Sequence, residues 1–124
     1  MWYLPGLLLI GDAAHVMSPV GGVGINYAIQ DAVVAANLLA KPLLEGKLGE
    51  QQLAEVQRKR EFPTKFIQAF QAMMQKRVLA PVLASTQTTL QVPTLFRWFV
   101  RVPILRDLPP RLIGFGVQRV RVDG

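Results

Sequence analysis

An acidic residue and a glycine-rich loop occur together near the start of this chain, between positions 11 and 26. Asp12 follows an apolar run that ends at Gly11, and the loop after it leads into a helical pattern that begins near Ile25. A carboxylate at the end of a strand can accept hydrogen bonds from sugar or polyol hydroxyls. Glycines let a flat ring lie against bare backbone, and the N–H groups that open a helix stabilise an electron-rich group. This order predicts a site for a negatively polarised ligand; a plain connection without a ligand is the alternative.

Two elements must position these residues. The continuous apolar run from Leu7 to Ile10, bounded by Pro5-Gly6 and Gly11, predicts a strand buried on both faces of a parallel sheet. A helix is expected from Ile25 until Pro42 and then Gly46 end it. Its apolar residues keep helical spacing at Ile25, Ala28, Ile29, Ala32, Val33, Ala36 and Leu39. Its polar positions are Asn26, Gln30, Asp31 and Asn37.

The rest of the chain is predicted to be helix and turn. A second helical stretch is expected over residues 49–78, with a break at Phe62-Pro63, because proline disrupts a helix interior. After the break, an apolar stripe predicts a core face, formed by Phe66, Ile67, Phe70, Met73 and Met74. Prolines in residues 79–124 indicate short helices joined by turns. No second strand is evident, so the strand at Leu7 to Ile10 lacks a partner, and we expect an incomplete α/β fragment whose remaining sheet lies upstream.

Composition excludes several classes of site and leaves others open. The chain has no cysteine, which rules out disulfides and thiolate ligands, and it has one histidine, so no metal site is expected. Without a signal peptide or a long apolar run, a cytoplasmic protein is expected. The positive net charge of +6 arises from the segment that starts at Arg58. That basic half is interpreted as a solvated face, with nucleic acid disfavoured because no recognised module is present.

Two other functions compete with ligand binding by the loop. Asp12, His15 and Ser18 suggest a hydrolase triad, but a triad is a spatial arrangement, and no nucleophile-elbow motif is present. His15 is interpreted instead as a residue that orders the loop by hydrogen bonding to backbone. The second alternative is a basic helical module that contacts an anionic membrane surface or a partner. Its residues would be Arg97, Arg101, Arg106, Arg111, Arg119 and Arg121, with the apolar residues between them.

The loop also resembles a known family. Gly11-Asp12-Ala13-Ala14-His15, followed by Pro19, Gly21, Gly22, Gly24 and Asn26, closely resembles the second FAD-binding motif of class A flavoprotein monooxygenases, the relatives of para-hydroxybenzoate hydroxylase. The resemblance extends through Asp31 and, more weakly, over residues 58–116. It implies an incomplete Rossmann-like FAD-binding domain: one strand and the FAD loop, followed by a mostly helical C-terminal segment. Residues 1–45 would belong to the FAD-binding domain, and residues 46–124 to a helical region.

This resemblance also implies a cofactor and a reaction. The implied FAD-binding residues are Gly11, Asp12, Pro19, Gly21, Gly22, Gly24, Ile25 and Asn26. Asp12 would bond the ribityl hydroxyls, Pro19 and Gly21 would line the isoalloxazine ring, and the helix start would face its pyrimidine end. In such enzymes NAD(P)H reduces the flavin, and one atom of O2 is transferred to an aromatic or similar electron-rich substrate. The family's N-terminal Gly-x-Gly-x-x-Gly motif, its central Asp-Gly motif and most of its substrate-binding sheet are absent, so the chain alone is expected to be inactive. No catalytic residue is expected among its residues.

Overall fold

The computed structural model describes residues 1–19, 22–80 and 120–122. Its regular elements are the strands β1 (Tyr3–Leu4) and β2 (Leu7–Leu8) and the helices α1 (Gly24–Leu44) and α2 (Glu50–Met74). One 3₁₀ turn, Gly11–Ala13, lies between β2 and α1, and a π-helical turn, Gln75–Leu79, directly follows α2. The described residues thus combine a small sheet with helices, in agreement with the coarse α/β expectation.

The two strands form an antiparallel hairpin at the start of the chain. Tyr3 pairs with Leu8 and Leu4 with Leu7, and the Leu9 N–H donates to the carbonyl of Trp2 at 2.7 Å. The expectation of a strand without a partner in this chain is therefore wrong. Pro5 and Gly6 reverse the chain, since proline presets φ and Gly6 takes a φ of +74°. The strand is also shorter than expected and is not buried on both faces, because Leu7 and Leu9 are exposed in this structure.

Helix α1 begins at Gly24, within one residue of the expected start at Ile25. The expectation that Pro42 ends the helix is wrong, because α1 continues through it to Leu44. Proline in the last turn removes only one helical donor, so the remaining turn can still close. Gly46, with φ of +66°, then ends the helix as expected, and the Lys47 N–H returns to the Pro42 carbonyl at 2.8 Å.

The buried side of α1 differs from the side that the sequence periodicity indicates. Ile25 and Ile29 are 70% and 57% exposed, whereas Tyr27, Asp31 and Val34 are buried. These three residues lie three or four positions apart and therefore share one face. Helix α2 packs on that face, and the core cluster joins Tyr27 to Val23 and Ile67, with Met17 and Phe70 against it. Apolar spacing alone did not reveal which side of α1 the second helix would cover.

Helix α2 is continuous through Pro63, so the expected break at Phe62-Pro63 is wrong. Pro63 is buried in the same face as Arg60 and Ile67, and this packing compensates for the hydrogen bond that proline cannot donate. The Gly49 N–H donates to the Gln52 side chain at 2.9 Å and stabilises the start of the helix.

The apolar stripe of α2 is only partly a core face. Ile67 is completely buried and Phe70 is half-buried against the core cluster. Phe66 and Met73 are exposed and Met74 is half-buried, so the expectation of a core stripe holds fully for Ile67 and in part for Phe70 and Met74. Within the described ranges, neither helix is both long and apolar enough to cross a membrane.

Candidate functional site

A cleft of about 540 Å³ lies between the 3₁₀ turn, the following loop and the start of α1. Its lining residues are Ile10, Gly11, Asp12, Met17, Ser18, Pro19, Gly22, Gly24, Ile25 and Ala28. The structure therefore brings together six of the eight residues that the family resemblance implies. Asn26 is the third residue of α1 and is not part of the lining, and Gly21 lies outside the described residues.

The turn that carries Asp12 is closed by its own backbone. The carbonyl of Gly11 accepts hydrogen bonds from the N–H groups of Ala14 at 3.0 Å and His15 at 2.9 Å. Gly11 has a φ of +57°, a left-handed conformation that glycine adopts without steric cost. Asp12 is solvent-exposed at the top of this turn and lines the cleft. The turn thus presents a carboxylate towards the cleft from a tightly bonded loop.

The opposite wall of the cleft is the N-terminus of α1. The first N–H groups of a helix, here those of Gly24 and Ile25, have no carbonyl partner within the helix, and they carry the positive end of its dipole. The N-cap residue, Val23, makes no side-chain capping hydrogen bond, and the first turn contains no acidic residue. A Cβ atom placed on Gly24 would lie 3.9 Å from both Asp12 Oδ1 and Met17 Cβ. The helix start therefore offers bare backbone close to the Asp12 carboxylate.

A buried carboxylate, Asp31 of α1, lies behind the turn and bonds residues of two other segments. Its Oδ2 accepts hydrogen bonds from the Gly11 N–H at 3.0 Å and from His15 Nε2 at 2.6 Å. Its Oδ1 accepts one from Arg60 Nε at 2.7 Å. Asp31 and Arg60 are 0% and 1% exposed, so water does not screen this ion pair. The interactions join the turn, α1 and α2 at one point.

These contacts keep Asp31 ionised. Burial by itself raises the pKa of a carboxyl, because it disfavours the charged form. The hydrogen bonds from His15, Arg60 and Gly11, together with the positive charge of Arg60, outweigh burial and lower the pKa of Asp31 below its ordinary 3.8. An ionised carboxylate only accepts hydrogen bonds, so His15 Nε2 is the donor in their contact.

His15 and Arg60 are each supported by an aromatic ring. The ring of Trp2 lies 4.8 Å from that of His15, measured between centroids. The guanidinium carbon of Arg60 lies 5.3 Å from the centroid of Tyr27, within range of a cation–π interaction. Both partners of Asp31 are thus held in place by packing as well as by hydrogen bonds.

Three glutamines of α2 and the π-helical turn hold the loop that continues from this turn. Gln68 Nε2 donates to the Val16 carbonyl at 2.9 Å, and Gln71 Nε2 donates to the Ser18 carbonyl at 2.8 Å. Gln75 Nε2 donates to the Ser18 hydroxyl oxygen at 2.6 Å. Helical spacing places these glutamines on one face, so α2 positions the loop wall of the cleft without lining it.

Sequence reasoning identified the loop and missed the groups behind it. The expected partner of the His15 side chain was backbone, whereas the structure gives it the Asp31 carboxylate. Asp31 was placed among the polar positions of α1, and nothing indicated that Arg60 would be buried. A usable signal was the position of Asp31 one helical turn from Tyr27 and Val34, in line with buried residues.

The structure bears on the hydrolase triad suggested by the sequence, and it leaves the proposed membrane-surface segment largely untested. In the suggested hydrolase triad, His15 Nε2 bonds Asp31 and the Ser18 hydroxyl accepts from Gln75, so these groups have other partners. Within the described residues, no group of three potential metal ligands is present. The basic membrane-surface segment falls outside the described residues except for Arg121, whose carbonyl accepts a hydrogen bond from Asn37 Nδ2 at 2.7 Å. Membrane contact by that segment stays a prediction.

Comparison with known proteins identifies the family of this chain. A family model described as an FAD binding domain matches residues 3–69, which include the hairpin, the turn, α1 and most of α2. The chain is 37% identical over 121 residues to 6-methylpretetramide 4-monooxygenase of Streptomyces rimosus, which covers 98% of this chain and 28% of that protein.

Two further relatives are also named as monooxygenases. The FAD-dependent monooxygenase ltmM of Epichloe festucae is 29% identical over 94% of this chain and 24% of its own length. Kynurenine 3-monooxygenase of Xanthomonas oryzae pv. oryzae is 54% identical over 39 residues, or 31% of this chain and 9% of that protein. The chain thus spans less than a third of the length of each. The expected resemblance to FAD-dependent monooxygenases is confirmed, and because the family model covers more than half of the 124 residues, the chain belongs to the family of FAD-binding domains.

Proposed function

We propose that the cleft binds the ribityl and isoalloxazine portions of FAD and that the chain serves as the flavin-facing part of an FAD-dependent monooxygenase. The observation that carries this proposal is one cleft lined by the Asp12 carboxylate, by bare glycine backbone and by the uncapped start of α1. These are the three features that the loop's residue order predicts for a negatively polarised, ring-bearing ligand.

The lining residues fit this part of the cofactor. The volume of about 540 Å³ lies within the roughly 300–1,000 Å³ usual for small-molecule sites. A ribityl chain offers hydroxyl donors, and the exposed Asp12 carboxylate can accept them. A Cβ atom on Gly24 would stand beside Asp12 and Met17, so glycine leaves the space between the carboxylate and the helix clear. Met17 and Ile25 add apolar surface for a planar ring.

Each residue then has a binding role. Asp12 would accept hydrogen bonds from ribityl hydroxyls, and the family resemblance assigns Pro19 and Gly21 to the lining of the ring. The backbone N–H groups of Ile25 and Asn26 face the pyrimidine end of the flavin. Negative charge collects there when the flavin is reduced, and the positive end of the α1 dipole stabilises it. Gly11, Gly22 and Gly24 shape the turn and the loop around the ligand.

Bound FAD would supply the redox and oxygen-transfer chemistry, with NAD(P)H as the reductant. The residues of this chain bind the flavin, orient it and keep water from one side of it. The resemblance to class A monooxygenases supports a small aromatic or similarly electron-rich substrate, and two relatives are named for 6-methylpretetramide and kynurenine. We assign residues 1–45 to the FAD-binding domain and residues 46–124 to a helical region that supports it; the dinucleotide-binding half and most of the substrate site would come from other parts of the complete enzyme.

Fluorescence titration of the purified chain with riboflavin, FMN and FAD tests this function. We expect all three flavins to bind, since they share the ribityl and isoalloxazine groups, and we expect ADP not to compete. Asp12→Asn keeps one acceptor oxygen and should weaken binding of each flavin by about fivefold or more, because a hydrogen bond to a charged acceptor contributes roughly 1 kcal/mol more than one to a neutral acceptor and each 1.4 kcal/mol is about tenfold.

Glu45→Gln is the matched control for that variant. It makes the same change of charge at an exposed residue, about 30 Å from the cleft at the other end of α1. Flavin affinity should be unchanged in this control. Equal effects of the two substitutions would reduce the role of Asp12 to long-range charge, and competition by ADP or absence of flavin binding by the wild-type chain would overturn the proposed function.

A further inference from the structure

The Asp31 carboxylate lies outside the cleft, yet it bonds both ends of the segment that presents Asp12. Its Oδ2 accepts from the Gly11 N–H, one residue before Asp12, and from His15 Nε2, three residues after it. Gly11 and His15 are further joined by the hydrogen bond from the His15 N–H to the Gly11 carbonyl. The backbone on both sides of Asp12 is therefore tied to a single side chain of α1.

This arrangement relates the two walls of the cleft to each other. Asp31 and Gly24 belong to the same helix, about two turns apart, so the Asp31 side chain has a fixed relation to the start of α1. When Oδ2 holds the turn, it sets the distance between the Asp12 carboxylate and the N–H groups that open the helix. A ligand that contacts both walls at once depends on this distance.

Arg60 supports the arrangement from α2. Its Nε donates to Asp31 Oδ1, the carboxylate oxygen that does not bond the turn, and its guanidinium lies over the Tyr27 ring. Within the described residues, its two terminal nitrogens have no hydrogen-bond partner, so Asp31 is the group that the Arg60 side chain hydrogen-bonds there. Without this cation, a carboxyl so completely buried would favour its neutral form and would become a weaker acceptor for Gly11 and His15.

We infer that Asp31 and Arg60 are positioning residues for flavin binding: they contact no ligand, and they hold Asp12 at a set distance from the start of α1. This inference depends on the proposed function of the cleft. Helix α2, which contributes no lining residue, would then affect cofactor affinity indirectly, through Asp31.

Three variants separate positioning from general stability. Arg60→Met removes the buried cation and leaves Asp31 without its charged partner. Asp31→Asn with Arg60→Met replaces the ion pair by a neutral side chain that keeps one oxygen for Gly11 and His15. Val34→Ala, on the same buried face of α1, creates a small cavity without touching the turn and serves as the stability control.

Three quantities are measured for each protein. Urea denaturation gives the free energy of unfolding, and fluorescence titration gives the affinities for riboflavin and FAD under conditions where the protein is folded. NMR gives the exchange rate of the Gly11 amide. We expect Arg60→Met to weaken flavin binding at least about tenfold and to accelerate Gly11 exchange. The neutral pair should recover most of both properties. Val34→Ala should lose stability with its flavin affinity unchanged. Should Arg60→Met fail to fold, Arg60→Lys keeps the charge without the planar donor and should move both readouts in the same direction by less.

The inference would be overturned if flavin affinity followed stability across all variants. In that case Val34→Ala would bind flavin as weakly as an Arg60 variant with the same loss of stability. Wild-type affinity in a folded Arg60→Met protein would also overturn the inference. Either result leaves the proposed function intact if the wild-type chain binds flavin. Absence of flavin binding by the wild-type chain overturns the proposed function itself, and with it this inference.

Discussion

Substitution of Gly11 by alanine tests whether the turn requires glycine for two separable reasons. Gly11 has a φ of +57°, and an added Cβ atom would lie 3.0 Å from the Cβ of Ala28 on α1. The left-handed conformation costs an alanine roughly 1–2 kcal/mol. The close contact forces the turn or α1 to shift, and overpacking of this kind costs typically about 1–3 kcal/mol. We therefore expect Gly11→Ala to lower the free energy of unfolding by roughly 2–5 kcal/mol.

Gly22→Ala is the matched control for the conformational part of this cost. Gly22 has a φ of +61°, and no atom lies within 4 Å of the position that a Cβ would take. It should lose roughly 1–2 kcal/mol, from the left-handed conformation alone. The smaller entropy of an alanine-containing unfolded chain affects both variants equally and cancels in the comparison. The difference between the two variants measures the contact with Ala28.

Urea denaturation followed by circular dichroism provides the measurement, with Gly11→Ala combined with Ala28→Gly as a third protein. Ala28→Gly alone should cost about 1 kcal/mol, because glycine is a poor helix former. In the double variant, this change removes the Cβ that the methyl group added at position 11 would meet, so the combined loss should be smaller than the sum of the single losses. Equal losses for Gly11→Ala and Gly22→Ala, together with simple additivity in the double variant, would refute the steric argument.

Three further predictions concern Asp31, Gly24 and Gln75. Because the pKa of Asp31 is lowered, its ionised form stabilises the fold above its ordinary pKa of 3.8, and this contribution is lost as the pH falls from there through the lowered value. Urea midpoints measured between pH 6 and pH 2 should therefore converge for wild type and Asp31→Asn at the acidic end. Parallel curves of midpoint against pH would contradict this prediction. Gly24→Ala should leave stability unchanged or raised by up to about 1 kcal/mol, since its Cβ has ordinary contacts at 3.9 Å and alanine favours helix, while flavin titration should show weaker binding because the methyl group enters the cleft. Gln75→Ala removes the 2.6 Å bond to the Ser18 hydroxyl at an exposed position, so it should cost less than about 1 kcal/mol and yet increase proteolytic cleavage within residues 16–18; unchanged cleavage would show that the loop does not depend on this contact.

The sequence alone determined the features that depend on neighbours along the chain. Glycine and aspartate after an apolar run predicted the turn, and helical spacing with Gly46 located α1 to within one or two residues at each end. The motif from Gly11 to Asn26 was sufficient to recognise the family. Such features follow from backbone conformation and local hydrogen bonding, which a residue and its near neighbours control.

Only the tertiary structure decided which groups are buried together. Asp31 was read as a polar position, yet it is buried because Gly11, His15 and Arg60 supply its donors, and these residues lie 16 to 29 positions away in the sequence. Pro63 was read as a break, yet packing of its helix face against α1 keeps α2 continuous. The cost of burying a charge or of omitting a helical hydrogen bond depends on partners that folding brings from distant segments, and local periodicity carries no record of them.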